Sequence, residues 1–299
     1  MKLLYSILAC SLLLLLISSC EDPVPLGDYQ ERYLIEAFIF VGQPINEISI
    51  SKSQALTDSF KLDKSIKEGL AQVKEAYINE LDANGIVVKS LKLIPDSLKL
   101  YAQDTSYLIK EQTRYQIRVE FLDGEITTGE TTTPMPTTWD SKYSIRKEVQ
   151  FPLDSLTANP TDTIAWAPIA TSPYYIIAVK CIDTLEYGKY TSSQDEKEKN
   201  RRINRPARGN NFFKDQTSMG ILPTTKTPVV WSIFKWFGKQ EVYVYAPDYN
   251  MIRWFLQNRT SREYNSLLNS LKSTTGKGIG VFGSSSVIKD SFFLVKNRK

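Results

Sequence analysis

Any chemistry in this chain proceeds without imidazole. None of its 299 residues is histidine, which removes His general bases, Ser-His and Cys-His nucleophile systems and every His metal site. Carboxylates are plentiful, but no two stand out in the sequence as an acid–base pair. A carboxylate-based hydrolase would need the fold to bring two together. There is no P-loop, no G-x-S-x-G and no calcium loop with regular acidic spacing. Gly278-Ile279-Gly280-Val281-Phe282-Gly283 spells G-x-G-x-x-G. A dinucleotide site needs a strand before that motif and a helix after it. Here a helical pattern precedes it and Ser284-Ser285-Ser286 follows, so these glycines are expected to serve close packing or turns. With 37 basic and 33 acidic side chains the net charge is only +4, too mild to imply a nucleic-acid partner. No cofactor is expected.

The most informative residue is a cysteine. Lys2 is followed by an apolar stretch, Leu3–Ile17, then Ser18-Ser19-Cys20, and the chain turns polar at Glu21-Asp22-Pro23. A basic start, a short apolar core and small residues at a cleavage point describe a secretory signal peptide over residues 1–19. The apolar run is shorter than the roughly 18–20 residues of a spanning helix, and acids follow it, not a basic stop-transfer cluster. Ser18-Ser19-Cys20 resembles the lipobox of bacterial lipoproteins. That resemblance implies cleavage before Cys20, a diacylglycerol thioether on its sulfur and an acylated new amino terminus. Two or more acyl chains anchor a protein stably. Residues 20–32 then form a lipid-anchored tether. Cys10 leaves with the signal, and only Cys181 remains, in the apolar run Tyr174–Ile182. It is expected to be a buried structural thiol.

The elements that must position everything else read as short strands. Tyr33–Val41, Glu47–Ser53, Glu75–Leu81, Ile86–Leu93, Ser97–Ala102, Arg114–Leu122 and Glu125–Thr132 are apolar or alternating runs. Asn84-Gly85 and Asp123-Gly124 supply hairpin turns. Asp63–Gln72 is open between a short helix and a loop. Seven strands at this spacing predict an immunoglobulin-like β-sandwich over 33–133. The stiff Thr-Pro segment 131–138 predicts a boundary.

The second domain, 134–299, is predicted to be β-rich. Strands are expected at Tyr143–Phe151, Thr163–Pro168, Tyr174–Ile182, Val229–Phe237, Gln240–Ala246 and Val287–Val295, with Gly238-Lys239 as a turn. The order strand, Trp166, strand resembles a fibronectin type III sandwich. One or two helices are expected near the end. Asp248 can cap the first, with Met251, Ile252, Phe255 and Leu256 on one face. Thr260–Glu263 reads as a capping box, with Tyr264, Leu267, Leu268 and Leu271 at helical spacing. The chain is thus expected to be mainly β, as two sandwich domains.

Two clusters carry candidate contacts. Ser192–Gly209 crowds Arg201, Arg202 and Arg205 among other bases and interleaved acids. This is either a solvated insertion or an anion contact. Trp231, Phe234, Trp236, Phe237, Tyr243, Tyr245 and Trp254 form the richest aromatic region, as core or as a sugar-stacking platform. Trp236, beside Gly238, is the candidate ligand contact.

The Cys-Glu-Asp-Pro start, the strand Tyr33–Ile39, the Thr-Pro linker and the ending Gly278–Ser286 together resemble the domain-of-unknown-function 4249 lipoproteins of Bacteroidetes. The family has no established catalytic residues. Its frequent association with TonB-dependent outer-membrane receptors implies a non-enzymatic accessory role in nutrient uptake, at the outer membrane and on the cell surface. Glu21-Asp22 looks like the export signal of such lipoproteins. A glycan-binding module is the alternative. The Asp-(Ser/Thr)-aliphatic triplets around Ser97, Ser155, Thr163 and Thr184 resemble O-glycosylation sites of the same phylum, although Asp-Ser and Asp-Thr also simply favour turns.

Overall fold

A computed structural model describes residues 30–45, 48–54, 61–151, 162–182, 216–234, 237–260 and 269–295. All seven strands expected before the Thr-Pro segment form. They are β1 (Tyr33–Phe40), β2 (Ser49–Lys52), β3 (Val73–Leu81), β4 (Val87–Asp96), β5 (Lys99–Ala102), β6 (Arg114–Phe121) and β7 (Ile126–Thr132). The segment left open is helix α1 (Leu62–Ala71). After it come β8 (Glu148–Gln150), β9 (Thr163–Ala165), β10 (Tyr175–Cys181), β11 (Thr217–Leu222), β12 (Lys226–Pro228) and β13 (Gly238–Pro247). Helix α2 (Tyr249–Thr260), β14 (Leu271–Ser273) and β15 (Gly278–Val295) complete the described order. The fold is mainly β.

Both hairpins turn in the same way. Gly85 N–H bonds Asp82 O at 3.0 Å and Asp82 N–H bonds Ile86 O at 2.9 Å, with φ +80° at Gly85. Gly124 N–H bonds Phe121 O at 3.1 Å and Phe121 N–H bonds Glu125 O at 2.9 Å, with φ +87° at Gly124. In each, one glycine takes the left-handed position that a β-carbon would disfavour.

β15 is the spine. Its first half runs parallel to β1, from Tyr33↔Gly278 to Phe40↔Ser285. Its second half runs antiparallel to β13, from Pro247↔Ser285 to Gly238↔Leu294. This makes a seven-stranded sheet, β11-β10-β13-β15-β1-β2, with β8 also on β15. A six-stranded sheet, β14-β7-β6-β3-β4-β5, packs on its β1–β2 end around Ile35, Ile39, Ile50, Ile78, Tyr115 and Phe282. The two sheets also join along their margins. Ile48 and Leu100 exchange backbone hydrogen bonds, and Ser270 N–H donates to Gly280 O. Those joints leave fewer open strand edges.

The same face of the long sheet carries a second core farther along. Ile177, Val242, Val244 and Phe292 meet Trp166, Trp231 and Phe234 there. Side chains of alternate parity point the other way, and α2 covers them through Met251 and Phe255.

Several expectations change. The described part of the expected strand Val229–Phe237, residues 229–234, is not an aromatic strand. After β12 the chain makes a 3-10 turn at Trp231–Ile233, and Gly238, at φ +103°, opens β13 instead of forming a hairpin turn. Apolar content alone did not distinguish a packed turn from a strand. Leu271 lies in β14, paired with Gly129 of β7, and not on a helix. The last strand starts at Gly278, nine residues before the expected Val287. The predicted boundary is crossed by pairing, because β14 adds to the first sheet and β1 adds to the spine. The Thr-Pro segment is itself packed, with Thr133 and Thr137 buried and Ser286 Oγ donating to Met135 O at 2.8 Å. Arg32–Lys299 accordingly clusters as one unit.

Candidate functional site

Of the sequence-predicted site residues, Cys20, Ser155, Thr184, Arg201, Arg202, Arg205 and Trp236 lie outside the described residues, as does 261–268 with most of the second expected helix. Ser97 is exposed in the two-residue turn between β4 and β5, at φ +54°. Thr163 is half-buried, and its backbone exchanges bonds with Ser144. Ser97 is therefore the more accessible acceptor of the two.

The buried and half-buried acids are held by different partners. Asp248 caps α2, its Oδ1 accepting the Met251 N–H at 2.9 Å. Its Oδ2 accepts the Thr131 hydroxyl at 2.5 Å, and Thr131 Oγ1 lies 2.7 Å from Ser284 Oγ. Burial pushes the Asp248 carboxyl up to about 6 against those hydrogen bonds. A hydroxyl beside a raised carboxyl has the makings of a nucleophile and base. Asp248 is only 9% exposed and Ser284 is sealed, so the trio acts as a joint between β7, β15 and α2. Glu36, under Trp254, is raised to about 7 by burial, against a hydrogen bond from the indole.

Two further acids are fasteners. Glu80 accepts the Tyr107 hydroxyl and Lys110 Nζ, the latter at 2.7 Å. Burial would raise its carboxyl, and these partners hold it lowered. Glu125 is completely buried. Burial would raise it as well, but donors from Ser273, Thr275 and Thr127 hold it at about 2.

The G-x-G-x-x-G segment is packing, as expected. A β-carbon on Gly278 would lie 1.8 Å from Thr127 Oγ1, and one on Gly280 would lie 2.0 Å from Ile35 O. The aromatic region is largely core: Trp231, Phe234, Phe237 and Tyr245 are buried, and Tyr243 and Trp254 half-buried.

The surface that stands out is one end of the six-stranded sheet. Val87, Leu81, Arg114 and Thr132 form a row across β4, β3, β6 and β7, roughly 14 Å wide at strand spacing. Ile86, 62% exposed, lies beyond this row, and Val88, 57% exposed, is the extra residue of a β-bulge just inside it, with Leu108 at 52% on the loop entering β6 and Met135 past β7. Ion pairs surround them: Lys110–Glu80 at 2.7 Å, Arg114–Glu130 at 2.5 Å and Lys89–Asp104 at 3.8 Å. Exposed apolar side chains beside ion pairs are the residue types of a protein-binding patch. The chain enters β1 at the other end, where Tyr33 stacks on Phe121 at 3.9 Å and its hydroxyl donates to Asp123 at 3.2 Å.

No protein family matches the chain, and no similar sequence was found among curated proteins. Among solved structures, trypsin-activated alpha-2-macroglobulin from Escherichia coli aligns over 89% of this chain and 16% of its own, at 8% identity and a TM-score of 0.21. Salmonella alpha-2-macroglobulin reacted with methylamine aligns over 89% and 15%, at 8% identity and a TM-score of 0.22. The chain thus spans about one-sixth of the length of those structures, and likeness at this level carries no functional meaning.

Proposed function

We propose that this protein is a lipid-anchored, non-enzymatic binding protein of the outer membrane, exposed at the cell surface, that accompanies a TonB-dependent nutrient receptor. The observation that carries the binding role is the polarity of the folded unit. The chain enters at the Tyr33–Asp123 end, and the exposed apolar residues Ile86, Val88 and Leu108 crowd the opposite end. With lipid on Cys20, the segment 20–31 spans at most about 40 Å when extended. Tethering keeps the protein near membrane neighbours and raises its effective concentration towards them, so a modest interface suffices. In this reading Arg32–Lys299 is one body, whose two sheets pack in an immunoglobulin- or fibronectin-like manner around β15. Arg201, Arg202, Arg205 and Trp236 supply a further contact, and Ser97 is the first choice for glycan attachment. A glycan ligand is the second reading, supported by the aromatic content around Trp236 alone.

Two experiments test this proposal. Cys20→Ala should abolish incorporation of labelled fatty acid and move the protein out of the detergent phase. Pull-downs from solubilised outer membranes should enrich a TonB-dependent receptor with the intact chain. They should enrich it at least several-fold less with Val88→Asp or with Ser192–Gly209 deleted. Equal enrichment with both variants would remove these surfaces from the contact. No enriched receptor with any form would remove the partnership.

A further inference from the structure

We propose that β15 carries a strand-acceptor slot, a gap in the long sheet that takes an extended segment of a partner protein as an added strand. β15 bonds β13 along one margin and β1, then β8, along the other. On that second margin β1 ends at the Phe40↔Ser285 pair, and β8 begins at Glu148↔Phe293. Hydrogen bonds on either side of the gap fix which residues face it. Asp248 N–H donates to Ser284 O, so even-numbered residues of β15 face β13. Val41 N–H donates to Ser285 O, Phe293 N–H to Lys147 O and Phe151 N–H to Val295 O, so odd-numbered residues face the β1–β8 margin. Val287, Lys289 and Ser291 therefore aim their backbone groups into the gap. Among the described residues, nothing takes the N–H and C=O of Val287 and Lys289 or the C=O of Ser291. The Ser291 N–H turns to the Asp290 carboxylate.

The neighbouring stretches of the chain are bonded elsewhere. After β1, Gly42 turns at φ +73° and donates its N–H to Ile109 O. The approach to β8 is bonded around β9: Ala167 N–H donates to Thr138 O, Asp140 N–H to Ala165 O and Ser144 N–H to Thr163 O. The gap covers positions 286–292 of β15, about 23 Å at strand spacing. It is open to approach, since Lys289 is exposed and Val287 and Ser291 are half-buried. Backbone donors and acceptors repeating at every second residue are matched by another extended backbone, the strand-addition mode of peptide recognition. β1 and β8 close the slot at both ends, so it admits a free segment and not the edge of a second folded sheet. The flanks define the segment's chemistry. At the β1 end, Met135, 42% exposed, has its carbonyl bonded by Ser286 Oγ, and Leu108, 52% exposed, precedes the Ile109 that holds Gly42. Towards the β8 end, the side chains of Lys147 and Lys289 are 79% and 63% exposed, while their partners Asp290 and Glu241 are only 22% and 16% exposed. Arg146 offsets Glu148 there, both exposed. The occupant is thus an extended peptide segment, apolar towards β1 and acidic towards β8. The slot goes beyond the Ile86–Val88 surface and needs neither the lipid anchor nor the receptor proposed above.

Amide hydrogen exchange on the full mature chain reads the slot first without a ligand. The Val287 and Lys289 amides should exchange at least about a hundredfold faster than those of Ile288 and Asp290, which bond β13. Equal protection of the two sets would mean that the chain fills its own slot, and would overturn the proposal. The probe for the occupant is a phage-displayed library of random peptides about nine residues long. Selected peptides should combine an apolar end with an acidic one and, made synthetically, should slow exchange at Val287 and Lys289. N-methylation of the alternate peptide residues that face β15 should abolish binding, and methylation of the other set should not. A library that yields no binder, or binders that leave both amides unprotected, overturns the proposal. Lys147→Gln with Lys289→Gln, both on the surface, should weaken the selected peptides at least about threefold. Unchanged affinity would overturn the assignment of an acidic partner.

Discussion

Glu125→Ala is expected to destabilise the fold by about 1–3 kcal/mol, the range for leaving a buried donor without its acceptor. The carboxylate accepts hydrogen bonds from Ser273 Oγ at 2.5 Å, Thr275 Oγ1 at 2.6 Å, Thr275 N–H at 2.8 Å, Thr127 Oγ1 at 2.9 Å and Thr274 Oγ1 at 3.1 Å. It ties the start of β7 to the connection between β14 and β15. Truncation would leave the buried Thr127 hydroxyl without its acceptor, while the exposed Thr274 and Thr275 donors can turn to water. Urea unfolding should show a lower midpoint with an unchanged slope. Glu120→Ala, which removes the surface pairs to Lys74 and Arg118, should leave the urea midpoint almost unchanged. The pH dependence has a definite sign. The Glu125 carboxyl is held near 2 against an ordinary 4.5, so its contribution is complete above that ordinary value and is lost as pH falls towards 2. Wild type should lose more stability than Glu125→Ala over that window.

Gly280→Val is expected to prevent stable folding. The site has φ +133°, and any β-carbon would stand 2.0 Å from the backbone oxygen of Ile35. That oxygen belongs to β1 at the Ile35↔Gly280 pair with β15, so relief requires the two strands to separate there. The lost pairing opens the core around Ile35, Ile117 and Phe282. Soluble yield and thermal unfolding check this. Gly276→Ala is the matched control, because φ there is +83° with nothing within 4 Å of the new carbon. It should cost about 1 kcal/mol, the backbone strain alone.

Legibility in the sequence followed the range of the interactions. The seven strands before the Thr-Pro segment were readable because alternation and the Asn-Gly and Asp-Gly turns are local. The cap at Asp248 was readable for the same reason. The role of Gly278–Gly283 as tight packing was readable, but not that it forms a strand, since its partner Tyr33–Phe40 lies at the other end of the chain. Pairing across that separation leaves no mark at either site. The Glu125 fastener was hidden likewise, with most of its donors arriving from residues 273–275. The exposed Ile86–Val88 end was masked by its own pattern. Valines after Asn-Gly look like core, and only the described fold shows Ile86 past the last paired row and Val88 exposed at a bulge beside it. Trp231 and Phe234 misled in the opposite sense, because strand-like composition fills a core from a turn equally well.

The central claim is that the folded unit hangs from a membrane by a lipid on its first mature residue. Mass spectrometry of the N-terminal peptide of the protein, isolated from native membranes, tests it most directly. The expected peptide begins at Cys20 and carries a diacylglycerol thioether together with an amide-linked acyl group. A mature chain that starts at any other residue, or a Cys20 with an unmodified thiol, would contradict the account.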